Sequence, residues 1–230
     1  HIHFIMFAHF DKFKVYPDFV GKYYQREIES GLMQYNQPWL YQPNMDYGIG
    51  DDNLMGIPKQ EVEMELGNDK KYHQFVLEIL NMGQIHHGPV HYSLLGLVSK
   101  IKDEIIPNHT NYRTRGILQH DIADRPMHYL PHTDVHKTER DVWSFIYYPH
   151  DCTGDTYLFK ETIDDISMGD RRNHNWYPID QITPKAGTLI QFPSRQFHAG
   201  SPPFKGRRCL INFNFSWGGN DLVNKIDGQN

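Results

Sequence analysis

Residues 186–198 read AGTLIQFPSRQFH, and residues 206–215 read GRRCLINFNF. The first stretch places a turn glycine and a short apolar run before His198. The second is an apolar run that begins with two arginines. Short apolar runs bounded by Gly, Pro and Ser are typical of β-strands. Five runs of this kind predict a sandwich or barrel core, and they cover residues 112–119, 141–148, 156–160, 188–192 and 208–215.

The N-terminal part of the chain has a different pattern. Apolar residues recur there at helical spacing and predict three helices, one after Asp18, one over residues 68–83, and one over residues 94–105 that ends before Pro107. The 230 residues show no linker-like boundary. We therefore predict one domain over residues 1–230, with a helical part over about 1–107 and a β core over about 108–217. The predicted fold class is mainly β with N-terminal helices.

A metal site is predicted from a His-x-Asp pair. On a strand, the side chains of residues i and i+2 point to the same side, so both can reach one ion. The chain contains two such pairs, His9-Phe-Asp11 and His132-Thr-Asp134, and with 15 histidines a chance pair is expected. Only the second pair stands directly before a β-like run, at residues 141–148, with a further run and His198 downstream. Two histidines and one carboxylate can hold Fe(II) on one face and leave positions open. The predicted ligands, which are also the predicted catalytic residues, are His132, Asp134 and His198.

A cation is predicted at the start of the last strand. An open iron site can chelate a keto acid such as 2-oxoglutarate, whose second carboxylate then needs an Arg or Lys partner. Arg207 and Arg208 both stand there, and strand alternation lets only one of them face the pocket. Arg208 is preferred because its face also carries the polar Asn212 and Asn214, and Arg207 is the alternative.

These residues resemble the Fe(II)/2-oxoglutarate-dependent dioxygenase family, in its prolyl 4-hydroxylase-like branch. The resemblance covers roughly residues 112–217 and the opening around residues 13–20. It implies a double-stranded β-helix (jelly roll, cupin-like) flanked by α-helices. It also implies that Tyr148 contacts the far carboxylate of 2-oxoglutarate. The Gly-Gly-x-Thr turn of the family is only approximated at residues 154–156, because Asp155 stands where glycine is usual.

The same resemblance implies the cofactors and the reaction. The cofactor is Fe(II), the co-substrates are 2-oxoglutarate and O2, and ascorbate is the expected reductant. The expected reaction is hydroxylation of an unactivated C–H, for instance of a prolyl or other peptidyl residue, with release of succinate and CO2. Two alternatives stay open on the sequence. One is a cupin-type mononuclear metalloenzyme that does not use 2-oxoglutarate, and the other is a non-catalytic jelly-roll binding module.

Charge and amino-acid composition indicate which binding partners and which cellular location to expect. The net charge is −5 and no run of Lys or Arg exceeds two residues, which argues against a nucleic-acid partner. No apolar stretch is long enough for a membrane span. Cys152 and Cys209 are the only cysteines, so we expect a reducing compartment and predict a cytoplasmic location. The expected substrate is a peptide or a small molecule, and the oligomeric state is open.

Overall fold

The computed structural model describes residues 13–34, 36–42, 74–121, 127–167 and 170–217. The pair His9-Phe-Asp11 and the first part of the second predicted helix lie outside these residues. Within them the chain is mainly β, as predicted, with two α-helices and two antiparallel sheets.

The large sheet contains eight strands. In spatial order seven of them are β1 (Lys14–Tyr16), β9 (Leu189–Pro193), β6 (Val142–Tyr147), β11 (Arg207–Trp217), β5 (His109–His120), β3 (Gln74–Asn81) and β2 (Leu40–Gln42), and β4 (Gln84–Ile85) pairs with β3. The small sheet has the order β10 (Gln196–Gly200), β7 (Thr156–Thr162), β8 (Pro178–Ile182). All five predicted β runs are confirmed, in β5, β6, β7, β9 and β11.

The last strand, β11, has two different faces. Ile211, Phe213 and Phe215 belong to the largest hydrophobic cluster, which they share with the helices. The alternate residues of β11 point to the opposite face of the sheet. That face carries Arg208, Leu210, Asn212, Asn214 and Ser216, all of them buried. The polar face of β11 is therefore enclosed between the two sheets.

The two helices cover the apolar face of the large sheet. They are α1 (Lys22–Leu32) and α2 (Gly88–Glu104), and a short 3-10 helix spans Asp170–Asn173. The side chain of His87 accepts a hydrogen bond from the Val90 amide and caps the start of α2. The first and third predicted helices are confirmed, although α1 begins at Lys22 rather than after Asp18. Neither α-helix among the described residues is long and apolar enough to cross a membrane.

The second predicted helix is wrong where the structure describes it, since residues 74–81 form strand β3. A β-bulge between Glu78 and Leu80 shifts the register against β5. The half-buried positions therefore recur every third residue along β3, with buried residues between them, instead of every second. A period near three resembles that of a helix. The predicted helical part over residues 1–107 accordingly contains four strands, β1 to β4.

The packing of α2 generates a stability prediction. Leu97 is fully buried between the helix and the sheet, whereas Leu95 on the same helix is 44% exposed. Replacing a buried leucine with alanine removes apolar burial and leaves a cavity. We expect Leu97→Ala to lower the free energy of unfolding by about 3 kcal/mol, as measured by urea denaturation. Leu95→Ala serves as the control and should change it by less than about 0.5 kcal/mol. Equal effects of the two substitutions would contradict this packing.

Candidate metal centre

A short backbone pairing joins the two predicted histidine ligands. The amide of His132 donates to the carbonyl of His198, and the amide of His198 donates to the carbonyl of His132, each at a distance of 2.9 Å. The amide of Tyr129 also donates to Gly200, at 2.8 Å. The segment around residues 129–132 therefore runs along β10 at the free edge of the small sheet. This pairing brings together two histidines that are far apart in the sequence, with ring centroids 4.4 Å apart.

Asp134 completes a group of three possible metal ligands. One ligand atom from each of His132, Asp134 and His198 lies within 4.8 Å of the others. Nε2 of His198 is 3.9 Å from Oδ2 of Asp134. Among the described residues this is the group of three His, Cys, Asp or Glu side chains that could hold one ion.

The burial and hydrogen bonds of the two imidazoles suit metal binding. Burial lowers the pKa of His132 to about 3, and the charge of His198 adds to this effect, so the ring of His132 is neutral at neutral pH. Its ring also hydrogen bonds the backbone of Leu130. Nδ1 of His198 lies 3.3 Å from the carbonyl oxygen of Gln196. A carbonyl only accepts, so Nδ1 carries a proton and Nε2 is the ring nitrogen that can face a metal.

Donors from three strands of the large sheet surround the carboxylate of Asp134. Asn212 donates to both oxygens at 3.3 and 3.2 Å, and Asn214 donates to Oδ2 at 3.2 Å. Arg113 lies 3.4 Å from Oδ1, and the hydroxyl of Ser144 donates to Oδ2. The carboxylate therefore has a fixed orientation before any metal binds.

The charge state of Asp134 follows from opposing effects. Burial alone raises the pKa of this carboxyl. The charges of His198 and Arg113 and the hydrogen bond from Ser144 more than offset it, and the pKa lies well below its usual value. Two imidazoles and one ionised carboxylate are the donor set that suits Fe(II), so the residues present fit this metal.

Arg208 is a buried cation whose side-chain hydrogen bonds go to neutral acceptors. It is 2% exposed. Its Nε donates to the carbonyl of Gly154 at 2.8 Å, Nη1 to Gln119 at 2.9 Å, and Nη2 to the hydroxyl of Thr156 at 2.6 Å. All three acceptors are neutral. Because burying an uncompensated charge costs several kcal/mol, the site is suited to an anionic ligand.

A cavity of about 80 Å³ connects Arg208 with the histidines. His132, His198 and Asn212 line one end, and Arg208, Thr156 and Gln119 line the other. The remaining walls are mostly apolar and consist of Gln74, Ile117, Tyr129, Leu130, Ile146, Gly200 and Leu210. A larger cavity of about 170 Å³ shares none of these residues. The small cavity thus has a candidate metal centre at one end and a cation at the other.

The two remaining predicted residues lie outside this lining. Tyr148 is fully buried, and its hydroxyl donates to Thr156 at 2.7 Å. Burial raises its pKa to about 12, so it remains a donor. Thr156 therefore stands between Tyr148 and the cavity. Arg207 is exposed at the start of β11, on the other face of the strand from Arg208.

Sequence reasoning missed several residues around Arg208. Gln119 lies directly opposite Arg208 in the pairing of β5 with β11. Gly154 allows the close approach of Arg208, because a Cβ there would lie 2.6 Å from Cδ of Arg208. The turn at residues 154–156 was the available signal for Gly154 and Thr156. No sequence pattern predicts the contact of Gln119 with Arg208, because it depends on the register of β5 with β11.

Comparisons of the sequence and the structure with known proteins indicate the class of protein that this chain resembles. Residues 118–216 match the sequence profile of the 2OG-Fe(II) oxygenase superfamily. No curated protein sequence matches the chain. The structure is similar to a prolyl-4-hydroxylase from Pseudomonas putida, with 14% identity, 91% of this chain and 94% of that chain covered, and a TM-score of 0.52.

Two further solved structures share the fold. The first is SnoN, a non-heme alpha-ketoglutarate-dependent epimerase from nogalamycin biosynthesis, with 10% identity, 91% and 80% of the two chains covered, and a TM-score of 0.61. The second is a prolyl hydroxylase from Trichoplax adhaerens in complex with a hypoxia inducible factor peptide fragment, with 13% identity, 95% and 88% covered, and a TM-score of 0.54. At these identities the likeness shows a common fold.

The family match and the fold define the class. Residues 118–216 match the 2OG-Fe(II) oxygenase superfamily, and the chain is a 2-oxoglutarate-dependent dioxygenase. Fe(II) and 2-oxoglutarate are its cofactor and co-substrate. The resemblance identified in the sequence is confirmed, in preference to a cupin-type metalloenzyme without 2-oxoglutarate or a non-catalytic module.

The close contact of Gly154 with Arg208 generates a prediction. A Cβ at residue 154 would also lie 2.5 Å from the carbonyl oxygen of Ser201, so the backbone or Arg208 must move. We expect Gly154→Ala to lower the free energy of unfolding by about 1–3 kcal/mol and to weaken 2-oxoglutarate binding, measured by urea denaturation and titration calorimetry. Gly31→Ala is the control, since its Cβ would meet nothing nearer than 4.0 Å. Unchanged 2-oxoglutarate affinity in Gly154→Ala would contradict this account.

Proposed function

We propose that this dioxygenase hydroxylates an unactivated C–H bond of a prolyl or other peptidyl residue. In this proposal His132, Asp134 and His198 bind Fe(II), and Arg208 binds the far carboxylate of 2-oxoglutarate. The observation that carries the proposal is the cavity with His132 and His198, grouped with Asp134, at one end and a buried arginine with neutral contacts at the other. When bound there, Fe(II) with 2-oxoglutarate and O2 supplies the oxidising power for C–H cleavage, with release of succinate and CO2.

The hydrogen bonds around Thr156 support a role for its hydroxyl in binding the far carboxylate of 2-oxoglutarate. Its hydroxyl oxygen accepts from both Arg208 and Tyr148. A hydroxyl has two lone pairs and one proton, so the proton of Thr156 is left to donate. We therefore assign the carboxylate of 2-oxoglutarate to Arg208 and Thr156, with Tyr148 orienting the threonine. Gln119 holds Nη1 of Arg208 and fixes the plane of the guanidinium.

At the metal end, the residues of the chain position the ligands. Ser144, Asn212 and Asn214 hold the Asp134 carboxylate, and the carbonyl of Gln196 holds the His198 ring. Such outer contacts keep ligands in one geometry and tune their basicity. The apolar side chains of Ile117, Ile146 and Leu210 limit the water between the two ends of the cavity.

We also propose that the fold is a double-stranded β-helix flanked by α-helices, in one domain over residues 1–230. Successive segments alternate between the sheets, which supports this assignment. β5, β6, β9 and β11 lie in the large sheet. Residues 129–132, the pair β7–β8, and β10 come between them in sequence and lie at the small sheet. This winding brings residues as distant as His132 and His198 to one place.

The substrate assignment rests on the relatives. Two of the similar structures are prolyl hydroxylases, and one of them holds a peptide fragment. This favours a peptide substrate. SnoN shares the fold and is an epimerase, which keeps a small molecule as the second candidate. Ascorbate as reductant and a cytoplasmic location remain predictions of the same proposal.

Turnover of 2-oxoglutarate without added substrate tests the proposed roles. We expect the protein with Fe(II), ascorbate and 2-oxoglutarate to release succinate, and Asp134→Ala to abolish this release because one metal ligand is lost. Arg208→Ala should raise the 2-oxoglutarate concentration needed for half-maximal rate by about 30-fold or more, since loss of a buried charge partner costs roughly 2 kcal/mol or more. Succinate is quantified by mass spectrometry.

The chain offers a matched control in Arg207. This arginine precedes Arg208 directly and is exposed. Arg207→Ala should therefore leave the 2-oxoglutarate requirement within about twofold, because surface substitutions usually have small effects. If Arg207→Ala raises the requirement and Arg208→Ala does not, the assignment of the co-substrate carboxylate is wrong.

The arrangement of Thr156 and Tyr148 gives a graded prediction. Thr156→Val removes the hydroxyl that we assign to the carboxylate, and Tyr148→Phe removes only the group behind it. We expect 2-oxoglutarate to bind about tenfold more weakly in Thr156→Val and only about threefold more weakly in Tyr148→Phe, on the scale of one ordinary hydrogen bond or less. Titration calorimetry measures both. A larger loss in Tyr148→Phe would show that Tyr148 contacts the co-substrate directly.

A further inference from the structure

The side-chain amide of Asn212 has one hydrogen-bonding atom without a partner. The residue is 8% exposed and lines the cavity. Its Nδ2 donates to both oxygens of Asp134, whereas its Oδ1 is buried and accepts no hydrogen bond. An ionised carboxylate can only accept, so Nδ2 must face Asp134 and Oδ1 must face away from it. A buried acceptor without a donor costs free energy, so Oδ1 calls for a donor that the described residues do not supply.

Donor groups of three nearby described residues already have acceptors. Nδ1 of His198 donates to Gln196, and the ring of His132 hydrogen bonds the backbone of Leu130. Arg113 donates to Asp134 and to Asn214. At neutral pH 2-oxoglutarate carries two carboxylates and a ketone, which are all acceptors, so it cannot satisfy Oδ1 either. The missing donor is therefore a water or a group of the substrate.

We infer that Asn212 is a positioning residue whose Oδ1 accepts a hydrogen bond from a water in the open coordination position of the metal. This inference rests on the proposed function. Asn212 holds this water through Oδ1 and the metal ligand Asp134 through Nδ2. It thereby keeps the open position filled until a substrate displaces the water, which limits oxidation of 2-oxoglutarate when no substrate is bound.

Asn214 provides a matched comparison on the same strand face. It is fully buried, and its Nδ2 donates to Asp134 at 3.2 Å and to Ser144 at 2.9 Å. Its Oδ1 accepts from Nε of Arg113 at 2.8 Å. Both asparagines thus support the carboxylate of Asp134. Of the two, only Asn212 has an acceptor without a partner. Both leucine variants lose a hydrogen bond to Asp134, but only Asn212→Leu also loses the acceptor for a water.

The first measurement uses Co(II) in place of Fe(II) and does not depend on activity. Six-coordinate Co(II) absorbs visible light weakly, and five-coordinate Co(II) absorbs more strongly. With Co(II) and 2-oxoglutarate bound, we expect the weak six-coordinate spectrum for the wild-type protein. Asn212→Leu should show the stronger five-coordinate spectrum, because the water is no longer held. Asn214→Leu should keep the weak spectrum.

The second measurement is succinate release with Fe(II) and no substrate. Asn212→Leu should raise this rate roughly fivefold, the factor that corresponds to one ordinary hydrogen bond. Asn214→Leu should lower it, because Asp134 loses a support. A purely structural role of Asn212 would lower the rate in both variants, so the two interpretations differ in sign.

The outcomes can be separated. A six-coordinate spectrum for Asn212→Leu, with a rate that falls as in Asn214→Leu, overturns the inference. A wild-type spectrum that is already five-coordinate also overturns it and assigns Oδ1 to a donor on the substrate. If wild type binds neither Co(II) nor 2-oxoglutarate and releases no succinate, the proposed function itself fails. Asn212→Ala, for which we expect the same two changes, replaces Asn212→Leu if the leucine variant does not fold.

Discussion

Strand β11 must be buried on both faces, and the site depends on this constraint. It pairs with β5 along its whole length and with β6 over residues 211–216, and residues 208–216 are buried. Its apolar face is covered by the helices. Its other face carries Arg208, Asn212 and Asn214, whose polar groups need partners inside the protein. The cavity, the Asp134 network and the contacts of Arg208 all lie on this polar face, so the covering of one strand locates the functional site.

With a metal bound, both ends of the cavity would be positively charged, and this favours a particular ligand. Asp134 is surrounded by donors, and a divalent metal beside it would leave the metal end with a net positive charge. Arg208 has neutral acceptors around it, so its end is positive as well. A small molecule with an anionic group at each end neutralises both, and a buried charge is tolerated when it is paired. The electrostatics of the described residues therefore agree with 2-oxoglutarate, the co-substrate that the family match indicates.

Much of this architecture was predictable from local pattern, and the remainder depends on register. The five β runs, two of the three helices and the grouping of His132, Asp134 and His198 follow from periodicity and spacing. The preference for Arg208 followed from strand alternation, and the structure places Arg208 in the cavity lining and Arg207 outside it. The helix predicted over residues 68–83 failed because the bulge in β3 imitates a helical period. Gln119 could not be predicted because its position opposite Arg208 depends on how β5 pairs with β11.

The failed helix prediction bears on where a substrate can reach the site. At the level of the metal centre, Asn212 pairs with Arg115 on β5, and Arg115 pairs with Glu78 on β3. The side chains of Arg115 and Glu78 are 35% and 21% exposed and form an ion pair of 3.1 Å, whereas Ile146 and Ser144 on the β6 side are buried. Among the described residues, Arg115 and Glu78 are therefore both more exposed than Asn212, which is 8% exposed. A helix in place of β3 would have ended the sheet at β5, whereas the observed strand extends it. Relatives with this fold include hydroxylases and an epimerase. The fold alone therefore does not decide the substrate, and Arg115 and Glu78 are two partly exposed charged groups beside Asn212 among the described residues.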